Sequence, residues 1–330
     1  MRTSSSSSCG PAMAGRTGAS GAIGICASTG AVTTVAPDGA PGPERHGLFP
    51  YDTPIAMPMH EPEFRIRPEN GVLAEGPLLD TRSVEYLAER LAAVPGVVAV
   101  TLGGSRAVGA AVPSSDWDFG LYYRGGLDPA DISALGWPGR VFAPGEWGSI
   151  VNGGAWLTVG GARVDLIYRD LDEVLRWTAA AGEGRFEIRR EVGYVAGIAT
   201  YILAGELALG KVLAGELPRP AFPPRLRETA PAAWFRLAAG ALSFADVYAG
   251  RQDRVACLAN LCQAVLATGQ GRMAAAGQWV LNEKRLTERA GLDAIQDRLA
   301  RPGPGLDALV SDVAAHLGLD DPVWAVRPAD

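Results

Sequence analysis

The sequence predicts an α+β domain, a small mixed sheet with flanking helices, followed by an all-α C-terminal helical bundle. Three observations predict it. Between residues 78 and 184, short apolar runs of strand type alternate with amphipathic helical segments. Gly160-Gly161 separates two such runs, a strong hairpin signal. After Gly184 the strand-type runs give way to Ala- and Leu-rich segments punctuated by Gly and Pro.

Taken in order, Asp80 or Thr81 can cap a first helix whose Val84, Leu87, Leu91 and Val94 follow helical spacing, and Pro95-Gly96 ends it. Residues 97–102 (VVAVTL) form a buried-strand pattern broken by Gly103-Gly104-Ser105, with a short turn or helix from Arg106. Residues 117–123 are a second strand. Asp128-Pro129 opens a short helix that ends near Gly136, since proline suits the first helical position. A short strand at 140–142 precedes the hairpin 155–159 and 162–168, and Asp170 caps a helix through about residue 180. Beyond Gly184 the pattern predicts helices only, over 187–214, 231–249, 252–268, 272–290 and 305–317, with 215–224 as a proline-rich connector.

A length of 330 residues is a prior for two domains. The expected division is 71–184 for the α/β domain and 185–330 for the helical bundle. Residues 1–70, with the Ser4–Ser8 run and few charges before Val35, read as a flexible N-terminal extension, or as the product of a start codon assigned too far upstream. With 48% hydrophobic residues the chain can build cores, and a net charge of −6 argues against wholesale binding of a polyanion. Cys9, Cys26, Cys257 and Cys262 fit no zinc template and are too few for a disulfide scaffold. Three histidines leave little for a His-based metal site or a Ser-His-Asp triad. There is no uncharged run of eighteen apolar residues and no signal-type apolar core, so a cytoplasmic location without membrane association is expected.

The chemistry concentrates in one stretch. Gly103-Gly104 at a strand end lets backbone N–H groups approach an anion, and the Ser105 hydroxyl adds a donor. Asp116 and Asp118 lie two apart on a strand, which puts both carboxylates on one face and Trp117 on the other. Such a pair repels itself unless a cation sits between, and hard oxygen ligands of this kind suit Mg²⁺. Asp165 interrupts the apolar run Val164-Asp165-Leu166-Ile167; burial there is costly unless it faces Asp116 and Asp118 across the sheet. Three such carboxylates can hold two Mg²⁺ ions. Arg106 is a candidate phosphate contact or a solvated surface arginine. Lys211 and Lys284 are the only lysines, and either could offer a compact charge to a phosphate. Asn152 reads as a turn asparagine that could line an acceptor.

Gly-Ser, ten intervening residues, Asp-x-Asp and a later lone Asp in an apolar strand resemble the polymerase-beta-type nucleotidyltransferase superfamily, in particular its bacterial stand-alone, antibiotic-modifying members. The resemblance covers residues from about 80 to 180. It implies that Gly104 and Ser105 hold the phosphates of an NTP such as ATP, that Asp116 and Asp118 bind two Mg²⁺ ions, and that Asp165 completes the metal that activates the acceptor. It further implies a glutamate base, for which Glu206 in an apolar helix is the candidate; a glutamate on the helix surface is the alternative. The activity it implies is transfer of NMP from an NTP to the hydroxyl of a small, aminoglycoside- or lincosamide-like acceptor, with release of pyrophosphate. The expected partners are the NTP and that small molecule, with neither nucleic acid nor membrane, and a homodimer is compatible. A non-catalytic nucleotide-sensing module, or a toxin-type enzyme acting on protein or tRNA, is the alternative.

Overall fold

The elements, in the computed structural model, are α1 (Thr81–Ala92), β1 (Val97–Leu102), α2 (Gly104–Ala107), β2 (Trp117–Tyr123), α3 (Pro129–Ser133), β3 (Gly139–Val141), β4 (Gly154–Val159), β5 (Ala162–Asp170), α4 (Leu171–Gly182), β6 (Ile188–Arg189), β7 (Ile198–Ala199), α5 (Ile202–Leu209), β8 (Lys211–Gly215), α6 (Pro224–Gly250), α7 (Arg254–Ala275), α8 (Leu286–Arg289), α9 (Asp293–Ala300) and α10 (Leu306–Leu317). The structure describes residues 79–112, 115–301, 303 and 305–319, and the expectation for the extension 1–70 lies outside them. No helix among the described residues is long and apolar enough to cross a membrane.

Six strands form one mixed sheet in the order β3-β4-β5-β2-β1-β8. The β2–β5 pair is parallel and the other pairs are antiparallel. Strand periodicity of two splits the side chains between the faces. On one face Val100, Leu102, Phe119, Leu121, Leu157, Val164 and Leu166 form a core with Val84, Leu87 and Leu91 of α1 and Ile132. Helix α1 presents that stripe because Asp80 caps it, its carboxylate accepting from the Ser83 amide at 2.8 Å. On the other face Ala99 and Tyr122 pack under Val174 and Trp177 of α4 and Ile202, Leu203 and Leu207 of α5. That packing covers only one end of the face and leaves the opposite end, where β2 and β5 begin, to Asp118, Asp165, Trp156 and Arg140.

The helices α6 and α7 form a second core with α10 around Trp234, Ala238, Leu261 and Val313. Trp234 donates its indole N–H to the Tyr201 hydroxyl at 2.7 Å, so the large buried ring has no stranded polar atom. Cys257 is buried in this core as a small apolar side chain.

Two expectations are corrected. The stretch 187–214 is not one helix: it holds β6, β7, α5 and the first residues of β8, with Gly193 and Gly197 at φ +91° and +96° where a right-handed helix cannot continue. Residues 211–215 become an edge strand because β1 would otherwise leave its outer row of N–H and C=O groups unpaired. Likewise 272–290 is interrupted. Helix α7 stops at Ala275, Gly277 sits at φ +67°, and an irregular segment leads to the short α8.

Candidate active site

Sheet register builds the site as a row. Asp118 of β2 is the direct partner of Asp165 of β5, Asp165 of Trp156 of β4, and Trp156 of Arg140 of β3. Directly paired residues project to the same face, so the four side chains stand side by side on the open end of the sheet. Neighbouring strands are about 4.8 Å apart, which sets the spacing between the Asp118 and Asp165 backbones. Asp116 precedes β2 by one residue. Its Oδ1 lies 2.6 Å from Nη2 of Arg163, which stands two residues before Asp165 on β5.

The electrostatics match a cluster of like charges. Burial first, then the charge of Asp116, raises the Asp118 pKa, while Lys284 and Arg106 act in the opposite direction. Asp165 is pushed up to about 6, by burial first and then by Asp116 and Asp118, against the opposing pull of Arg163 and Lys284. The three carboxylates therefore feel one another's charge, and the positive charge of Lys284 eases that repulsion at Asp118 and Asp165. Among the described residues, no three His, Cys, Asp or Glu side chains are grouped so as to hold a metal ion as they stand. The donor set is nevertheless of the right kind. Mg²⁺ is commonly held by one or two carboxylates together with substrate phosphates, and Asp118 and Asp165 supply two adjacent ones.

The glycine turn is fitted to this cluster. The Gly103 amide donates to the Asp118 carbonyl at 2.7 Å, which ties the end of β1 to β2. Gly104 has φ +59°, and a Cβ there would lie 1.8 Å from Oδ2 of Asp118. Conformation and space thus both demand glycine. Ser105 follows in the first turn of α2, and Gly103 contributes no side chain to cap that turn.

Other expected residues have different employment. Arg106 donates through Nε to the Asp116 carbonyl at 3.2 Å and through Nη2 to the Ser115 carbonyl at 2.7 Å, and its guanidinium stacks 4.0 Å from the Trp117 ring. In this structure it pins the Asp116 loop through Nε and Nη2, which leaves the phosphate contact expected of it to its remaining N–H groups. Lys211 pairs with Leu102 at the end of β1, one residue before the glycine turn, and is exposed. Lys284 lies in the segment after α7, which is anchored by Glu283 accepting from the Val195 and Ala196 amides at 2.8 Å each and by Tyr194 donating to the Leu281 carbonyl at 3.1 Å.

Glu206 is not brought to the carboxylates. It accepts two hydrogen bonds from Arg169, at 2.6 Å from Nε and 2.7 Å from Nη2. Arg169 is 5% exposed and also donates to the carbonyls of Val151 and Tyr168. Along β5, Arg169 is four residues beyond Asp165, about 13 Å at ~3.3 Å per residue. The general-base role expected for Glu206 has a physical obstacle: its carboxylate neutralises a buried cation. Only half of this pair was open to prediction: Glu206 lies inside an apolar run and calls for a partner, whereas Arg169 stands beside Asp170, which offers a nearer one in sequence. Asn152 is a turn asparagine at φ +69°, donating to the Tyr123 hydroxyl and accepting from the Gly145 amide.

An aromatic cluster beside Asp165 was missed. Trp156 stacks on Trp147 with ring centroids 5.4 Å apart and meets Phe142 edge-on at 4.7 Å.

No family model matches the sequence, and no curated protein matches it. Among solved structures, the chain is similar to a nucleotidyltransferase-like protein from Exiguobacterium sibiricum 255-15, at 10% identity over 72% of each chain with a TM-score of 0.37. At that level no residue role is carried over from it.

Proposed function

We propose that the protein is a nucleotidyltransferase that moves NMP from an NTP to the hydroxyl of a small molecule and releases pyrophosphate. The observation that carries this reading is the direct pairing of Asp118 with Asp165 on the open sheet face, against the Gly104 turn. It is supported by the motif spacing from Gly104-Ser105 through Asp116-Trp117-Asp118 to Asp165.

In this reading the first-turn amides of α2 and the Ser105 hydroxyl receive phosphate oxygens, and Lys284 and Lys211 neutralise charge on the triphosphate. Asp118 and Asp165 would hold Mg²⁺, and Asp116 would join them on leaving Arg163. That exchange is cheap, since an ion pair as exposed as Asp116–Arg163 is worth about 0–1 kcal/mol. Held there, Mg²⁺ would supply charge neutralisation at the phosphates and acidity to the acceptor hydroxyl. The hydroxyl oxygen bonds to the α-phosphorus as the bond from that phosphorus to the bridging oxygen of the pyrophosphate breaks, and the hydroxyl proton passes to solvent water, giving the NMP ester, pyrophosphate and H⁺. The side chains of the chain contribute position and electrostatics to this in-line exchange.

One observation favours a second reading, a nucleotide-sensing module without turnover: Asp116 is engaged by Arg163 and the three acids are not grouped as a metal site. Pyrophosphate release from ATP, GTP, CTP and UTP with Mg²⁺, across a panel of hydroxyl acceptors, separates the two. The first reading expects release that Asp118→Asn and Asp165→Asn abolish. Nucleotide binding with no release under any acceptor supports the second.

A further inference from the structure

The row that contains the acids continues past them. From the glycine turn outward its order is Gly103, Asp118, Asp165, Trp156, Arg140. Trp156 stands directly across from Asp165, with backbones about 5 Å apart. Its side chain is large and apolar, yet the residue is 52% exposed, so about half of it meets solvent although Trp147 and Phe142 pack on the indole. The ring is not loose. Trp147 stacks against it with 25° between the planes, and Phe142 braces its edge. The loop that carries Trp147 is itself fixed, with its amide donating to the Asn152 carbonyl at 3.0 Å and the Phe142 amide to Gly154 at 2.9 Å. A Cβ on Gly154 would lie 1.9 Å from the Leu166 carbonyl oxygen and 2.6 Å from Cζ3 of Trp147, so glycine there serves the close approach of the β5 backbone first and the seat of that ring second. At the outer edge Arg140 extends over Phe142, 4.4 Å from the ring, with no acidic partner among the described residues.

We propose that the Trp156–Trp147 platform seats the acceptor, and that the acceptor is a hydroxyl compound recognised through a flat aromatic ring bearing a neutral or anionic substituent. The direction of the row supplies the assignment, which rests on the nucleotidyl-transfer reading. In-line displacement places the attacking oxygen opposite the leaving pyrophosphate. With the phosphates at the glycine turn, the attack comes from the Trp156 side of Asp165. A flat ring gains most from stacking on exposed indole surface. Arg140 at the rim attracts a carboxylate or phosphate on that ring and disfavours a polycation, so the aminoglycoside-like acceptor suggested by resemblance fits this platform poorly.

The test uses the full chain, ¹⁵N-labelled, and follows its tryptophan indole resonances, with the Trp156 signal identified by its absence from Trp156→Phe. The probes are 4-(hydroxymethyl)benzoate, benzyl alcohol and 2-deoxystreptamine, with affinities read from saturation transfer to the probe. The benzoate is expected to shift the Trp156 resonance, to bind several-fold tighter than benzyl alcohol, and to lose that advantage in Arg140→Gln. In Trp156→Ala its binding weakens about tenfold, while Trp156→Phe retains most of it. Thermal melting of each variant checks folding, and Trp156→Leu replaces the alanine variant if that one is unfolded. Three results would overturn the proposal: 2-deoxystreptamine shifting Trp156 in preference to the aromatic probes, a non-hydrolysable ATP analogue with Mg²⁺ doing so, or no aromatic probe binding at all. Binding of that ATP analogue to the unaltered chain is measured separately. If it binds and the aromatic probes do not, the platform assignment alone fails. If the aromatic probes bind at Trp156 and the nucleotide does not, the nucleotidyl-transfer reading fails and a ring-binding site remains.

Discussion

Asp118 and Asp165 are direct register partners on the parallel strands β2 and β5, with their carboxylates on one face of the sheet. Two adjacent, half-buried acids each lose solvation and repel one another. Asp165 accordingly has a pKa raised to about 6, by burial first and by its acidic neighbours next. A carboxyl whose folded pKa lies above its unfolded value of 3.8 favours the folded state fully at low pH, and that contribution is lost as pH rises through about 6. Without divalent cations, stability is therefore expected to fall between about pH 4 and pH 6 in the native chain. Asp165→Asn flattens this fall and is more stable than the native chain at pH 7.5 by about 1 kcal/mol, a figure discounted for partial solvation. Urea denaturation at pH 4, 6 and 7.5 in EDTA measures it, and equal pH profiles for the two proteins contradict it.

Gly104 is the position where the backbone and the acids meet. In Gly104→Ala the new methyl would fall 1.8 Å from Oδ2 of Asp118, at φ +59°. Asp118 or the turn must move. The expected cost is about 2–3 kcal/mol of stability from strain and overpacking, with loss of nucleotide binding. Denaturant titration and calorimetry of ATP with Mg²⁺ test it. A variant with native stability and affinity contradicts the described fit of Gly104 to Asp118.

Glu206 is 21% exposed and serves Arg169, which is 5% exposed. Glu206→Ala strands a buried guanidinium and is expected to cost about 3 kcal/mol, while a double replacement by apolar residues, Arg169→Met with Glu206→Leu, recovers most of it. A double-mutant cycle by thermal or urea unfolding gives the coupling. A Glu206→Gln variant of native stability whose turnover falls by a hundredfold or more would return Glu206 to the base role that its place in an apolar helix first suggested.

Lys284 acts on Asp118 and Asp165 from the segment beyond α7. Lys284→Ala is expected to weaken binding of ATP with Mg²⁺ about tenfold, the scale of one charge-assisted contact to phosphate, and to leave the fold intact because the residue is exposed. Calorimetry at two ionic strengths checks both magnitude and origin, since the loss shrinks with added salt. Unchanged affinity at low salt contradicts it.

The sheet and the acid motif were legible for the same reason. Residues 97–102, 117–123 and 162–168 are local apolar runs, and alternation alone puts Asp118 and Asp165 on the face opposite Phe119, Val164 and Leu166. What local pattern could not give was set by distant pairing. Lys211–Gly215 is continuous with an apolar helical pattern, and only the unpaired edge of β1 makes it a strand. Arg106 follows Gly104-Ser105 as a phosphate ligand would, yet its Nε and Nη2 meet the Asp116 and Ser115 carbonyls, which no spacing rule encodes. The aromatic platform escaped for a similar reason. Phe142, Trp147 and Trp156 share no periodicity, and they meet because a loop folds back over Gly154.

The most direct test is calorimetric titration of the full chain with a non-hydrolysable ATP analogue, with and without Mg²⁺, in the native protein, Asp118→Asn and Asp165→Asn. Binding that requires Mg²⁺ and is lost in both variants is the predicted result. Binding of equal strength without Mg²⁺, or unchanged in both variants, would contradict the assignment of these paired carboxylates to a metal-assisted nucleotide site.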